Sequence, residues 1–140
     1  MGSSPQLARR TLTAQQISKA VITAAMKVHT ALGPGLLESA YEICLMHELR
    51  HMGLSVQAQV SLPVVYSGVK LDAGYRIDLL VEELVVVELK TVDAILPVHK
   101  AQVISYLKLS GKNLGLLINF NVTHLREGIK RFVHGSGWKM

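Results

Sequence analysis

The chain has one cysteine, Cys44, among 140 residues. A lone thiol closes no internal disulfide, which excludes a disulfide-stapled secreted scaffold and makes a reducing, cytoplasmic compartment the expected setting. Aromatics are scarce, two Phe, four Tyr and one Trp, too few for a surface that holds single strands by stacking their bases. No apolar run approaches the ~20 residues that span a bilayer. Nor does any N-terminal stretch join a charged lead to an unbroken apolar segment, since Gln15, Gln16 and Lys19 follow Arg9-Arg10, so neither a signal segment nor a membrane partner is expected. Acidic residues are nearly missing from the C-terminal part. Residues 100–140 carry seven Lys or Arg against Glu127 alone, net +6, whereas residues 1–99 carry eight against nine acidic residues, net −1. Clustered cations gain by releasing counterions from a phosphate backbone, so this end is the one expected to face a polyanion. A basic surface that serves only solubility is the alternative on charge alone.

What is present has the length and apolar content of one domain with a single core. Residues 1–12 are expected to be a loose leader and 13–140 the domain. Ile17, Val21, Ala24, Ala25 and Val28 recur at helical spacing behind Thr13, a residue suited to an N-cap. Gly33-Pro34-Gly35 stops that helix, and a second runs from about Leu36 to Met52, with Gly53 as its stop. Residues 56–66, 69–81 and 84–92 then read as strands with turns at Ser67-Gly68 and Glu82-Glu83. Pro97 opens a third helix closed by Gly111, residues 114–122 read as a buried strand, and 124–134 as a basic terminal helix. The order ααβββαβα predicts an α/β fold, a mixed sheet with helices packed on it.

The strand pair "RIDLLVEELVVVELKTV" (76–92) is interrupted by Asp78, Glu88 and Lys90. Glu88 and Lys90, two apart, project from one face, while Val87 and Leu89 point to the other. Asp78 comes directly opposite Glu88 on that face only if an odd number of residues, such as Glu82, Glu83 and Leu84, closes the hairpin. No glycine eases such a turn, so a bulge is a possible accompaniment. In that register two carboxylates repel unless a cation lies between them, and a hard divalent ion, Mg²⁺ or Mn²⁺, suits the donors. A wetted sheet face with an ordinary Glu-Lys pair is the plain alternative. His99, Gln102 and Tyr106 share one side of the third helix, and Gln102 and Tyr106 offer groups suited to a water or a phosphate. On the second helix Glu38 projects into the apolar arc between Leu45 and Leu49, away from Glu42 and Arg50 on the wet face. Glu48 falls deeper still, beside Tyr41, and is the alternative buried carboxylate, with a cation such as His or Arg as its expected partner.

"GLLESAY" (35–41) matches the G-x-x-E-x-x-Y signature of the bacterial GxxExxY proteins, a family within the PD-(D/E)XK nuclease superfamily. The resemblance runs from about residue 15 to 134 through "LPVVYSGVKLDAGYRIDLLVE", "VVVELKTV", "HKAQVISYLKLSG" and "LGLLINFNV". It implies a restriction-endonuclease-like fold and a metal-dependent nuclease acting on nucleic acid, with DNA the expected form. Asp78 resembles the first carboxylate, although Ile77 stands where the motif names a proline. Glu88-Leu89-Lys90 resembles the (D/E)-x-K element, in which both carboxylates and the Leu89 carbonyl hold Mg²⁺ (or Mn²⁺) and Lys90 assists the water. Glu38 resembles a helix carboxylate of many members, and Gln102 with Tyr106 a Q-x-x-x-Y element. One site per chain, if both strands of a duplex are cut, favours a homodimer.

Rival readings are weaker. "HELRH" (47–51) matches the H-E-x-x-H zinc motif, but Leu54 and Gln57 occupy the places where the extended motif needs Gly and a third His. "SGKN" (110–113) lacks both the upstream glycine and the following Ser or Thr of a phosphate loop. A non-catalytic nucleic-acid- or protein-binding module on the same fold is the main competitor.

Overall fold

Helix α1 (Ala14–Leu32) starts where Thr13 and Gln16 satisfy each other's backbone. The Gln16 N–H donates to Thr13 Oγ1 at 3.1 Å and the Thr13 N–H to Gln16 Oε1 at 2.9 Å, covering donors that a helix start leaves open. The computed structural model describes residues 11–139. Residues 1–10 of the expected leader lie outside the described residues, and Leu12 already packs against the core.

After α1 come helix α2 (Glu38–His51), strands β1 (Val56–Ser61), β2 (Val64–Tyr66), β3 (Val69–Leu71), β4 (Arg76–Val81) and β5 (Val85–Lys90), helix α3 (Pro97–Ser110), and strands β6 (Leu114–Asn119) and β7 (Ile129–Val133). Five strands make one sheet in the order β1-β4-β5-β6-β7, while β2 and β3 pair only with each other. Every pairing is antiparallel except β5 with β6, the two strands that α3 joins. This is the mixed α/β sheet with flanking helices that the pattern predicts.

Two expectations change. The strands expected over 56–66 and 69–81 are each divided, so that their ends fold off as the β2–β3 arm. Pro63 has no N–H for the ladder, and Gly74 donates to Asp72 Oδ1 at 2.9 Å in a local turn that ends β3. The basic helix expected over 124–134 is instead a single 3-10 turn (Leu125–Gly128) followed by the edge strand β7, paired along its length with β6. Gly128 approaches the end of β6 so closely that a Cβ there would collide with the Asn119 carbonyl oxygen. β-Branched Ile129 and Val133 then suit the sheet edge better than a short isolated helix.

The core occupies both faces of the sheet. On one, Ile17, Val21, Val28, Leu45 and Leu49 of α1 and α2 bury against Leu79, Val81, Val85, Val87, Leu89, Leu116 and Phe120. On the other, a smaller cluster of Leu62, Ile77, Leu80 and Val86 packs with Tyr106 and Leu107 of α3. Strict alternation would put Ile77 with Leu79, so the strand slips out of phase at Asp78. Among the described residues no helix is long and apolar enough to cross a membrane.

Candidate active site

The β4–β5 hairpin is closed by Glu82, Glu83 and Leu84, with Val81 opposite Val85, Leu80 opposite Val86 and Leu79 opposite Val87. This is the odd loop that places Asp78 level with Glu88. It forms without glycine because Glu82 and Glu83 both adopt left-handed backbone, φ +54° and +58°. Other contacts hold the turn. The Glu82 N–H donates to the Ser55 carbonyl at 2.8 Å, the Ser55 N–H returns a bond to Glu82 Oε2, and Gln57 Nε2 donates to Glu83 Oε2 at 2.7 Å.

One step beyond Leu79 and Val87 the regular ladder stops, and side chains take its place. The Asp78 N–H donates to Glu88 Oε2 at 2.9 Å, and the Leu89 N–H donates to Asp78 Oδ2, also at 2.9 Å. Each carboxylate thus commits one oxygen to the backbone beside its partner and keeps lone pairs for another ligand. Glu88 is only 2% exposed, and burial first, then the Asp78 carboxylate, push its pKa up to about 8. Coulomb repulsion in a poorly hydrated place makes this pair a group that a cation would relieve.

The loop into α2 carries the G-x-x-E-x-x-Y residues, and their roles divide. The Tyr41 ring is wholly buried and stacks on Phe120 at 4.4 Å between centroids. Its hydroxyl donates to the Gly33 carbonyl at 2.6 Å and accepts the Leu36 N–H at 3.2 Å. Gly35 supplies the φ of +98° that the loop needs. Tyr41 therefore clamps the loop that delivers Glu38, the first residue of α2. Glu38 is exposed at that helix start rather than buried in the apolar arc expected from the wheel. Enough atoms still crowd its carboxyl for desolvation, then Asp78, to raise its pKa against the opposing pull of Lys90. Glu48 pairs with Lys27 at 3.1 Å on the far side of α2 and takes no part.

Lys90 lowers the pKa of both Glu38 and Glu88, so it stands near each, but among the described residues it closes no ion pair with either. Its backbone is fixed by a bond from the Phe120 N–H to the Lys90 carbonyl at 2.9 Å. Just beyond it, the buried Asn119 side chain donates to the Val92 carbonyl and accepts the Val92 N–H. On α3, Gln102 Nε2 donates to the Tyr106 hydroxyl at 3.2 Å. Desolvation, then the charge of Glu88, raise the Tyr106 pKa. His99 turns away as a local cap, its Nδ1 accepting the Leu96 N–H at 2.9 Å.

Sequence reasoning missed three residues here. Tyr75 meets Tyr106 edge-on at 6.1 Å and lines, with Gln102 and Tyr106, a cavity of about 460 Å³. Glu42, assigned to the wet face, is half-buried and accepts from Gln59 Nε2 at 2.8 Å. Gln59 also reaches Asp78 Oδ1 at 3.3 Å. The i, i+4 spacing of Glu38 and Glu42 was a usable signal for Glu42, whereas nothing local marks Gln59 or Tyr75.

The donors fit a hard divalent ion of the Mg²⁺ or Mn²⁺ kind, which needs only one or two carboxylates and completes its shell with water and substrate oxygens. Among the described residues no three His, Cys, Asp or Glu side chains converge enough to enclose a metal unaided. That count weighs against a zinc site at "HELRH". His47 and His51 are exposed and stack on each other at 6.3 Å between centroids, and the intervening Glu48 is bound to Lys27. A separate concavity of about 670 Å³, lined by His29, Thr30, His124, Arg126 and Glu127, contains none of Glu38, Asp78 and Glu88.

A family model describing the PD-(D/E)XK nuclease superfamily matches residues 15–132, and the chain belongs to that superfamily. The five-stranded mixed sheet flanked by helices is consistent with its restriction-endonuclease-like fold. A search of curated proteins and a search of solved structures returned no match.

Proposed function

We propose that this superfamily member is a nuclease that hydrolyses phosphodiester bonds of nucleic acid, with DNA the expected form, using Mg²⁺ or Mn²⁺ held by Asp78, Glu88 and the Leu89 carbonyl. The observation that carries this reading is the crossed Asp78–Glu88 pair, in which two crowded carboxylates each spend one oxygen on backbone and keep capacity for a cation. When bound, the ion supplies charge neutralisation for the phosphate and a more acidic water. Lys90, near Glu38 and Glu88, orients the attacking water or offsets charge gathering on the phosphate oxygens. The Tyr106 hydroxyl and the Gln102 amide hold a phosphate oxygen or the water, and Glu38 accepts from water at the exposed rim. Substrate approach is supported by Lys100 and Lys108 on α3 and by Lys130 and Arg131 on β7, all exposed. These cations predict binding that weakens steeply with salt.

The test is cleavage of labelled linear, nicked, flapped and junction DNA and of single-stranded RNA, in Mg²⁺, Mn²⁺ or EDTA, by the native protein and by Lys90→Ala and Glu88→Ala. Metal-dependent cleavage is expected, lost in EDTA and reduced at least ~100-fold in either variant, with substrate binding retained. Normal cleavage by Glu88→Ala would refute the site. Salt-sensitive binding without cleavage in any metal, unchanged in Lys90→Ala, would establish a non-catalytic module instead.

A further inference from the structure

β1 is out of order at one residue. Ala58 pairs with Leu79 and Val60 with Ile77, but Gln59, between them and level with Asp78, drops out of the ladder. Its φ is +53°, left-handed backbone in the middle of a strand. Such a conformation costs a non-glycine residue about 1–2 kcal/mol, and Gln59 lies in no turn that would require it. Strain of this kind persists where surrounding contacts over-determine it, and here they can be named. The Gln59 amide donates to Glu42 Oε1 at 2.8 Å on α2 and reaches Asp78 Oδ1 at 3.3 Å on β4. The crossed bonds with Glu88 and Leu89 hold Asp78 from its other side.

The geometry points to Gln59 as a positioning residue: its amide bridges Glu42 and Asp78, holding the Asp78 carboxylate in the orientation that receives the metal. This rests on the nuclease reading above. A donor between two carboxylates performs two tasks. It screens their repulsion, which otherwise drives Asp78 away from Glu42, and it ties the β4 ligand to α2, the helix that also carries Glu38. The left-handed backbone is what this bridging position accompanies, so the side chain and the backbone can be tested separately.

Gln59→Gly makes that separation, because glycine adopts the same φ without steric strain while the side chain that carries the amide is removed. Mn²⁺ binding by titration calorimetry and the metal dependence of cleavage are measured for the native protein, Gln59→Gly, Glu42→Gln, the double variant and Glu88→Ala. Gln59→Gly is expected to match or exceed the native protein in denaturant stability, yet to bind Mn²⁺ about 10- to 100-fold more weakly. Its cleavage should recover as the metal concentration is raised. In the Glu42→Gln background the same substitution should cost less, since the two residues act as one bridge. Native Mn²⁺ affinity in Gln59→Gly, with affinity lowered in Glu88→Ala, would overturn the role of Gln59 and leave the nuclease reading standing. No Mn²⁺ binding by the native protein would overturn both.

Discussion

The two ends of the β4–β5 hairpin obey different rules. From the turn to Leu79 and Val87 the strands are apolar, fully buried and joined by a regular ladder. One residue further, carboxylates replace backbone acceptors, the neighbouring strand buckles at Gln59, and side-chain alternation slips. The closed end spends its residues on cohesion. The open end keeps a buried, repelling pair that stability alone would not select. Local departures from the rules of a good sheet therefore gather at the carboxylates proposed to hold the metal.

The sharpest way to break that contrast is to damage the closed end. Leu79→Ala removes a wholly buried side chain and is expected to cost about 2–5 kcal/mol in denaturant unfolding, while the fraction still folded cleaves normally. A fall in cleavage per folded molecule would show that the two ends are not separable.

The open end should show a pH signature of comparable size without metal. The folded-state pKa of Glu88 lies near 8, above its ordinary 4.5. Between those values the folded chain holds a proton that the unfolded chain has lost. Stability is therefore complete below about pH 4.5 and drains as pH rises toward 8, by up to ~1.4 kcal/mol per pH unit. Glu38 and Glu42 shift in the same direction and add to the slope. Urea unfolding in EDTA at about pH 5.5 and pH 7.5 should show the loss in the native protein, a smaller one in Glu88→Gln, and relief on adding Mg²⁺. Equal slopes in the two proteins would remove Glu88 as its source.

The smallest effect belongs to the turn. Glu83 is exposed and left-handed, so Glu83→Gly is expected to stabilise by about 0.5 kcal/mol, the relieved backbone strain outweighing the lost surface bond to Gln57. A clear loss of stability would mean that the Gln57 bond and an ion pair of Glu83 with Lys112, at 4.0 Å, matter more than the strain.

Much of the hairpin was legible because it rests on counting. Glu88 and Lys90 are two apart, and three residues between Val81 and Val85 bring Asp78 level with Glu88. The helix stops at Gly33 and Gly111 were legible for the same reason, since chain direction there depends on one residue. The C-terminal segment misled because Leu125, Ile129, Phe132 and Val133 suit a helix face by spacing. Pairing with β6 decides their state, and no local pattern contains it. Glu42 and Gln59 were hidden for a related reason. Their meeting depends on how α2 approaches a break in β1, and a helical wheel drawn without its neighbours showed Glu42 as solvated.

The crossed bonds between Asp78, Glu88 and the backbone have a practical consequence. These acids are also mortar in the sheet, so removing one does more than silence chemistry. Asp78→Ala strips the Leu89 N–H of its acceptor, and Asp78→Asn can present a donor where an acceptor is required. A loss of activity in either would mix chemistry with architecture. Among the described residues no backbone bond of the sheet rests on the Lys90 side chain, and Lys90→Ala is the control that leaves the crossed bonds in place.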